Sequence, residues 1–391
     1  MPPLTTTGAR RTYVRSIRAV LNMAVLLALQ ACGDGQRNDR KSGKAHARAA
    51  AIAATDAALP LRTDTLRPVV ITDTLPGDSD DPAIWVNALA PAASLVLGTD
   101  KGDSTGGLYA FDLAGHVDRT RSVTPLRRMN NVDIEYGIML GTQRSDVAVA
   151  TERNRQAPRV FRLPEMQSID GGGLVMFGGD VARAPMGIAL YRRPRDSQLF
   201  AFVSGKSGPR EGYLAQYRLT FGDGRVSASL VREFGTWSGR KEIESITVDD
   251  ALGYVYYSDE GAGVRKYHAD PDSGSVELAL LATTGVREDH EGLAIFARDS
   301  TTGYLILSDQ GAGRIQVIPR EGMPGAPHAH PVLAVIPVMA RHTDGLDVTS
   351  RAMGPDFPTG MLAMMSERGA FHFYRWNDVQ TRIDAVRPMR R

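Results

Sequence analysis

Asp81-Pro82-Ala83-Ile84-Trp85-Val86, Ser94-Leu95-Val96-Leu97-Gly98-Thr99-Asp100 and Gly107-Leu108-Tyr109-Ala110-Phe111-Asp112 follow one another as three short β-type runs separated by turn residues. Five more units line up on this one. The second comprises Val132 to Tyr136, Val147 to Thr151 and Arg159 to Arg162; the third, Met186 to Tyr191, Leu199 to Val203 and Leu214 to Tyr217. The fourth runs Glu244 to Val248, Tyr254 to Asp259 and Val264 to Tyr267; the fifth, Glu291 to Ile295, Tyr304 to Asp309 and Ile315 to Ile318. Asp344-Gly345-Leu346-Asp347-Val348 opens the sixth, which ends in Phe371 to Trp376. The period is about 47 to 57 residues, and each unit supplies strands plus length for a fourth. Strands so spaced, with no long 3.6-residue periodicity between them, predict an all-β chain built as a six-bladed β-propeller. A β-sandwich or a solenoid is the alternative that the same strand-and-turn pattern admits.

The 391 residues are 42% hydrophobic and 23% charged, proportions of a folded protein rather than a disordered one. Lys and Arg number 46 against 44 acids, so no basic field singles out nucleic acid as a partner. A single cysteine excludes an intramolecular disulfide framework and thiolate-built zinc sites.

Upstream of the repeats, Arg10, Arg11, Arg15 and Arg18 precede a short apolar run that ends at Ala31-Cys32-Gly33. A basic segment, a short apolar segment and a small residue before a cut describe a secretory leader, too short to span a bilayer. Leu29-Gln30-Ala31-Cys32 is similar to a bacterial lipobox, in which Cys32 is lipidated and becomes the new N-terminus; a plain leader cut nearby is the alternative. The expected organisation is a leader of lipoprotein type over 1–32, a flexible tether over 33–64 and the propeller over 65–385. Such a protein is exported and held at a membrane only through its lipid; a monomer is expected.

Acids recur at strand ends: Asp80 and Asp81, Asp133, Glu242 and Glu244, Asp259 and Glu260, Asp289 and Glu291, Asp309, and Asp344 and Asp347. Each alone is explained as a turn residue capping backbone groups. Repeated in phase, equivalent strand ends of a propeller converge near the central channel, and so many carboxylates need a counter-charge. Hard divalent cations supply it, and Ca²⁺ suits irregular oxygen clusters. Lys101, Arg153 and Lys206 follow the second strands of the first three units, where cations beside such ions would hold an anionic, phosphate-type ligand. The chain has no Gly-rich phosphate loop, no G-x-S-x-G elbow and no H-E-x-x-H. Any hydrolysis would therefore use a metal-activated water. His290, embedded between Asp289 and Glu291, reads as an outward-facing or structural histidine.

Asp80-Asp81-Pro82-Ala83-Ile84-Trp85, Asn130-Asn131-Val132-Asp133, Gly205-Lys206, Asp289-His290-Glu291-Gly292-Leu293 and Thr343-Asp344-Gly345-Leu346-Asp347 together resemble the β-propeller phytases, in order, from about Asp64 to Trp376. The resemblance implies a 3-phytase: a phosphoric monoester hydrolase removing phosphate from phytate (inositol hexakisphosphate) and requiring several Ca²⁺ ions. It implies metal ligands at Asp80, Asp81, Glu244, Glu260, Asp289, Glu291, Gln310 and Asp344. Asp80, Glu260, Glu291 and Asp344 would be catalytic, and Lys101, Arg153 and Lys206 would hold substrate phosphates. It further implies phytate bound as its calcium complex, and in-line attack of a calcium-activated water. Four positions depart from the family pattern: Gly102, Glu135, Met186 and His342. Two other readings fit the carboxylates: a non-catalytic calcium-stabilised propeller binding a phosphorylated or protein partner, and a metal-dependent lactonase. Neither explains the three cations.

Overall fold

A computed structural model of the chain describes residues 62–222 and 224–386. Cys32, the leader and residues 33–61 of the expected tether lie outside the described residues. Among the described residues, twenty-four strands form six four-stranded antiparallel sheets. Blade 1 is β2 (Ser79–Trp85), β3 (Leu95–Asp100), β4 (Gly107–Phe111) and β5 (Val117–Val123). Blade 2 is β6 (Met129–Leu140), β7 (Gln143–Glu152), β8 (Ala157–Leu163) and β9 (Gln167–Ser168). Blade 3 is β10 (Pro185–Arg192), β11 (Leu199–Gly205), β12 (Glu211–Gly222) and β13 (Arg225–Thr236). Blade 4 is β14 (Ile246–Asp249), β15 (Tyr254–Asp259), β16 (Gly263–His268) and β17 (Ala279–Leu281). Blade 5 is β18 (His290–Ala297), β19 (Gly303–Asp309), β20 (Arg314–Pro319) and β21 (Ala334–Pro337).

Blade 6 has β22 (Leu346–Thr349), β23 (Met361–Ser366) and β24 (Ala370–Arg375), and its fourth strand comes from the other end of the body. This is β1 (Val70–Ile71), which pairs Val70 with Phe373 and Ile71 with His372. Innermost strands touch in sequence from blade 1 to blade 6 and back, so the ring is closed and the six-bladed propeller is the observed fold. The sixth unit's strand stops at Arg375, not at Trp376. Trp376 instead opens α1 (Trp376–Val386) and stacks on Phe296, ring centroids 3.6 Å apart.

Second strands such as β11 and β19 are buried from end to end, because each blade is covered by a neighbour on both faces. That is why they read as continuous apolar runs rather than alternating ones. The apolar core lies between blades, as in the cluster of Val149, Val160, Ile188, Leu190 and Val203 between blades 2 and 3.

In blades 2 to 5 a hydroxyl at the end of the second strand reaches the segment that opens the next blade. Ser204 Oγ donates to the Ile243 carbonyl at 2.6 Å, Ser258 Oγ to that of Glu291 at 2.7 Å and Ser308 Oγ to that of Thr343 at 3.2 Å. Thr151 Oγ1 donates to the Met186 carbonyl in the same way. The other two differ: the Thr99 hydroxyl bonds Asp81 within blade 1, and the Ser366 hydroxyl accepts from the Arg341 N–H while its carbonyl accepts from Ser79 Oγ. These bonds fix where each inner strand starts, which is where the acids stand.

Candidate metal and phosphate site

The segments that open the inner strands bring Asp80, Asn130, Glu244, Glu291 and Asp344 together from five blades. Asn130 Nδ2 donates to Asp80 Oδ2 at 2.8 Å and to Glu244 Oε1 at 3.0 Å, bridging blades 1 and 4. Asn130 belongs to the Asn-Asn pair of the second unit but was not among the expected site residues. Its phase with Asp80-Asp81 was the signal. Lys101 Nζ lies 2.6 Å from Asp344 Oδ2 and 3.1 Å from Asp80 Oδ1. Gln310 Nε2 donates to the other Asp344 oxygen. Arg153 approaches Glu244 at 4.0 Å.

One carboxylate oxygen each of Glu244, Glu260 and Glu291 lies within 4.8 Å of the other two. Glu291 Oε2 is buried and accepts no hydrogen bond. Burial, then the neighbouring Asp80 charge, pushes the Glu244 carboxyl well up; burial, then Glu260, does the same to Glu291. Glu260 is raised to about 7 by burial with Glu242 and Asp289 nearby, and Asp344 to about 6 by burial and Asp80. Burial works against the Lys101 charge, but Asp80, Asp344 and Glu244 outweigh it and hold the ammonium protonated. Converging hard oxygens, one with no donor, fit an oxygen-seeking divalent cation.

The remaining expected residues fall into three groups. Asp289 sits beside Glu260 and Glu291 but is ion-paired with Lys241, and Lys206 at the rim is ion-paired with Glu242; Glu242 was expected among the in-phase acids, whereas Lys241 was not expected in a site role. Asp81, Asp133 and Asp347 line a narrow cavity of about 40 Å³ with Asn131. There they accept from backbone N–H groups of adjoining blades: Val132 to Asp81 at 3.0 Å, Leu190 to Asp133 at 2.7 Å and Ile84 to Asp347 at 2.7 Å. Asp259 and Asp309 do not join the cluster. They hold Arg265 at 2.9 Å and Arg314 at 2.7 Å at the ends of β15 and β19, because a buried strand end needs its acid neutralised locally.

His290 contacts two backbone carbonyls, of Glu260 at 3.0 Å and Ala282 at 2.7 Å, a structural role. The four departures divide as well. A Cβ at Gly102 would come within 2.5 Å of Thr105 Oγ1 and 3.0 Å of the Gly106 nitrogen, so a side chain there needs its neighbours to shift. Met186 is fully buried, Glu135 turns its carboxylate onto the Tyr136 N–H at 2.8 Å, and the exposed His342 faces Glu367 at 3.9 Å.

The chain is 29% identical over 302 residues to a 3-phytase of Bacillus subtilis (strain 168), the match covering 73% of each. An α-L-arabinanase of Penicillium chrysogenum, solved with arabinobiose, superposes with a TM-score of 0.52 at 10% identity, covering 80% of this chain and 97% of that one. That likeness concerns the fold alone. The family model described as Phytase matches residues 42–369, and the chain belongs to that family.

Proposed function

We propose that this phytase is calcium-dependent, takes phytate as its calcium complex, and releases phosphate by attack of water on phosphorus without a covalent intermediate. The observation that carries the reading is the trio Glu244, Glu260 and Glu291, with carboxylate oxygens within 4.8 Å of one another beside Lys101 and Arg153. Those three, with Asp80, Asp81, Asp289, Asp344 and Gln310, would hold the ions. Bound calcium supplies positive charge beside the phosphate and lowers the pKa of a neighbouring water.

The chain's own residues do the rest. Arg153, whose Nε is buried with no partner, and Lys206 at the rim bind phosphate oxygens. Lys101, held between Asp80 and Asp344, presents a fixed ammonium where negative charge grows during attack. Asn130 keeps Asp80 and Glu244 oriented, so the oxygens need not reorganise during the reaction. On the sequence alone, we also propose an exported monomer lipidated at Cys32.

Phosphate release from phytate by a chain beginning after Cys32, with calcium and then with excess chelator, tests the proposal. Release that appears with calcium and stops with chelator is the expected result. No release from a protein that calcium still stabilises against heat would replace the enzyme with a binding propeller.

A further inference from the structure

Each second strand ends at the mouth, and in five blades the side chain of its last residue bonds the segment that opens the same blade. Asp100 accepts from the Gly77 and Asp78 N–H groups at 2.9 and 3.0 Å, Glu152 from Arg127 at 2.9 Å, Asp259 from Ser238 at 2.7 Å and Asp309 from Arg287 at 2.9 Å. In blade 6, Ser366 Oγ takes the place of the acid and accepts from Arg341 at 3.1 Å. The bonded segments run on to Asp80, Asn130, Glu244, Asp289 and Asp344. Directly after the four acids come Lys101, Arg153, Glu260 and Gln310. One side chain per blade therefore brackets the two stretches of chain that carry the site.

Three of the acids are held in turn by an arginine on the third strand. Arg159 on β8 lies 2.9 Å from Glu152, Arg265 on β16 2.9 Å from Asp259, and Arg314 on β20 2.7 Å from Asp309. Each arginine has a second anchor: Asp170 at 3.0 Å, Glu277 at 2.6 Å and the Gly285 carbonyl at 2.7 Å, respectively. Both partners of every pair are buried. A buried pair offsets its own desolvation poorly, so it adds little stability, whereas its directed bonds fix geometry. Blade 3 is the contrast. Its second strand ends in Gly205, with no side chain to bond, and the Lys206 side chain that follows is 44% exposed, against 15% for Lys101 and 12% for Arg153.

We propose that Arg159, Arg265 and Arg314 are positioning residues, acting through Glu152, Asp259 and Asp309 on the side chain that follows each strand end. Arg159 sets Arg153, which holds phosphate. Arg265 and Arg314 set Glu260 and Gln310 among the oxygens that hold calcium, and this arm rests on the calcium reading above.

Two constants of the full chain test the assignment: KM for inositol hexakisphosphate in saturating calcium, and the calcium concentration that gives half of the ion's thermal stabilisation, read without substrate. Lysine keeps the counter-charge of each buried acid but cannot make the forked hold. Arg159→Lys should raise KM about tenfold and move the calcium midpoint less than about twofold. Arg265→Lys and Arg314→Lys should do the reverse, raising the calcium midpoint about tenfold with KM within about twofold. Arg320→Lys is the control. It disturbs an equally buried pair, with Asp249 at 2.6 Å, at the far end of the inner strand β14, and should lower the melting temperature while both constants stay put. Constants that move together in all four variants, or that stay unchanged in the first three, would overturn the assignment. A wild type that calcium does not stabilise removes the calcium reading alone; a raised KM in Arg159→Lys then upholds positioning by the strand-end pairs, and an unchanged KM overturns it.

Discussion

Lys101 places its ammonium 2.6 Å from Asp344, a residue 243 positions later in the chain, and so joins the first blade to the sixth at the mouth. Asp80 lies 3.1 Å from the same nitrogen. Removing one partner of a buried ion cluster leaves uncompensated charge, typically about 3–5 kcal/mol of destabilisation. Lys101→Met should therefore lower the thermal midpoint, and by more in chelator than in calcium, because bound cations take over part of the lost charge. Equal drops in both conditions would mean that the lysine and the metal do not share these carboxylates.

Glu244→Gln and Asp344→Asn each remove a charge from the oxygens proposed to hold the ions while keeping the shape. Loss of one preorganised electrostatic element costs about 10²–10³ in rate. Both variants should retain a wild-type far-ultraviolet dichroism spectrum and lose at least about a hundredfold of phosphate release. Wild-type rates in both would remove those residues from the reaction.

Glu291→Gln separates metal binding from repulsion. Burial, then the Glu260 and Glu244 charges, raises the Glu291 pKa well above normal, and its Oε2 has no donor. A carboxyl whose folded pKa is raised costs stability once pH exceeds its unfolded value, since the folded state then binds the extra proton. In chelator near neutral pH, the variant should melt above the wild type. Added calcium should reverse the order, because a ligand bound by the native state alone stabilises it by about 2.7 kcal/mol at a hundredfold excess over Kd. A variant that melts lower in both conditions would show that Glu291 is not strained by its neighbours.

The inner and second strands were legible because burial on both faces forces continuous apolar runs, as in Leu305-Ile306-Leu307. The outer strands were not. Strand β5, Val-Asp-Arg-Thr-Arg-Ser-Val, is half solvated and carries little apolar periodicity. The closing strand β1 is two residues long and separated by the whole body from its partner, which no local pattern can reveal. At the site, phase in the repeat found Glu244, Glu260, Glu291 and Asp344. It failed for Asp259 and Asp309, the last residues of β15 and β19, which find an arginine instead. The hydroxyls of Thr99, Thr151, Ser204, Ser258, Ser308 and Ser366 are as periodic as the acids. They carry no comparable message because their partners are backbone groups, which leave no trace in a sequence.

Far from the mouth, Lys266 on β16 is wholly buried and provides the pH test. Its Nζ donates to the Pro327 carbonyl at 2.8 Å, lies 3.0 Å from His330 Nε2 and stands 3.8 Å over the Tyr254 ring. The His330 Nδ1 faces the Pro319 carbonyl at 2.8 Å, so Nδ1 donates there and Nε2 accepts from the lysine. Burial pushes the Lys266 pKa down to about 8 from 10.5, with Asp249 opposing. Between those two values the unfolded chain holds a proton that the folded chain has released. The contribution of this lysine to stability therefore rises with pH across that window. Lys266→Met has no such proton. The difference in thermal midpoint, wild type minus variant, should move in favour of the wild type between about pH 8 and pH 10. A difference that stays flat over that range would mean that Lys266 keeps its proton on folding, and that the Pro327 carbonyl and the Tyr254 face offset its burial in full.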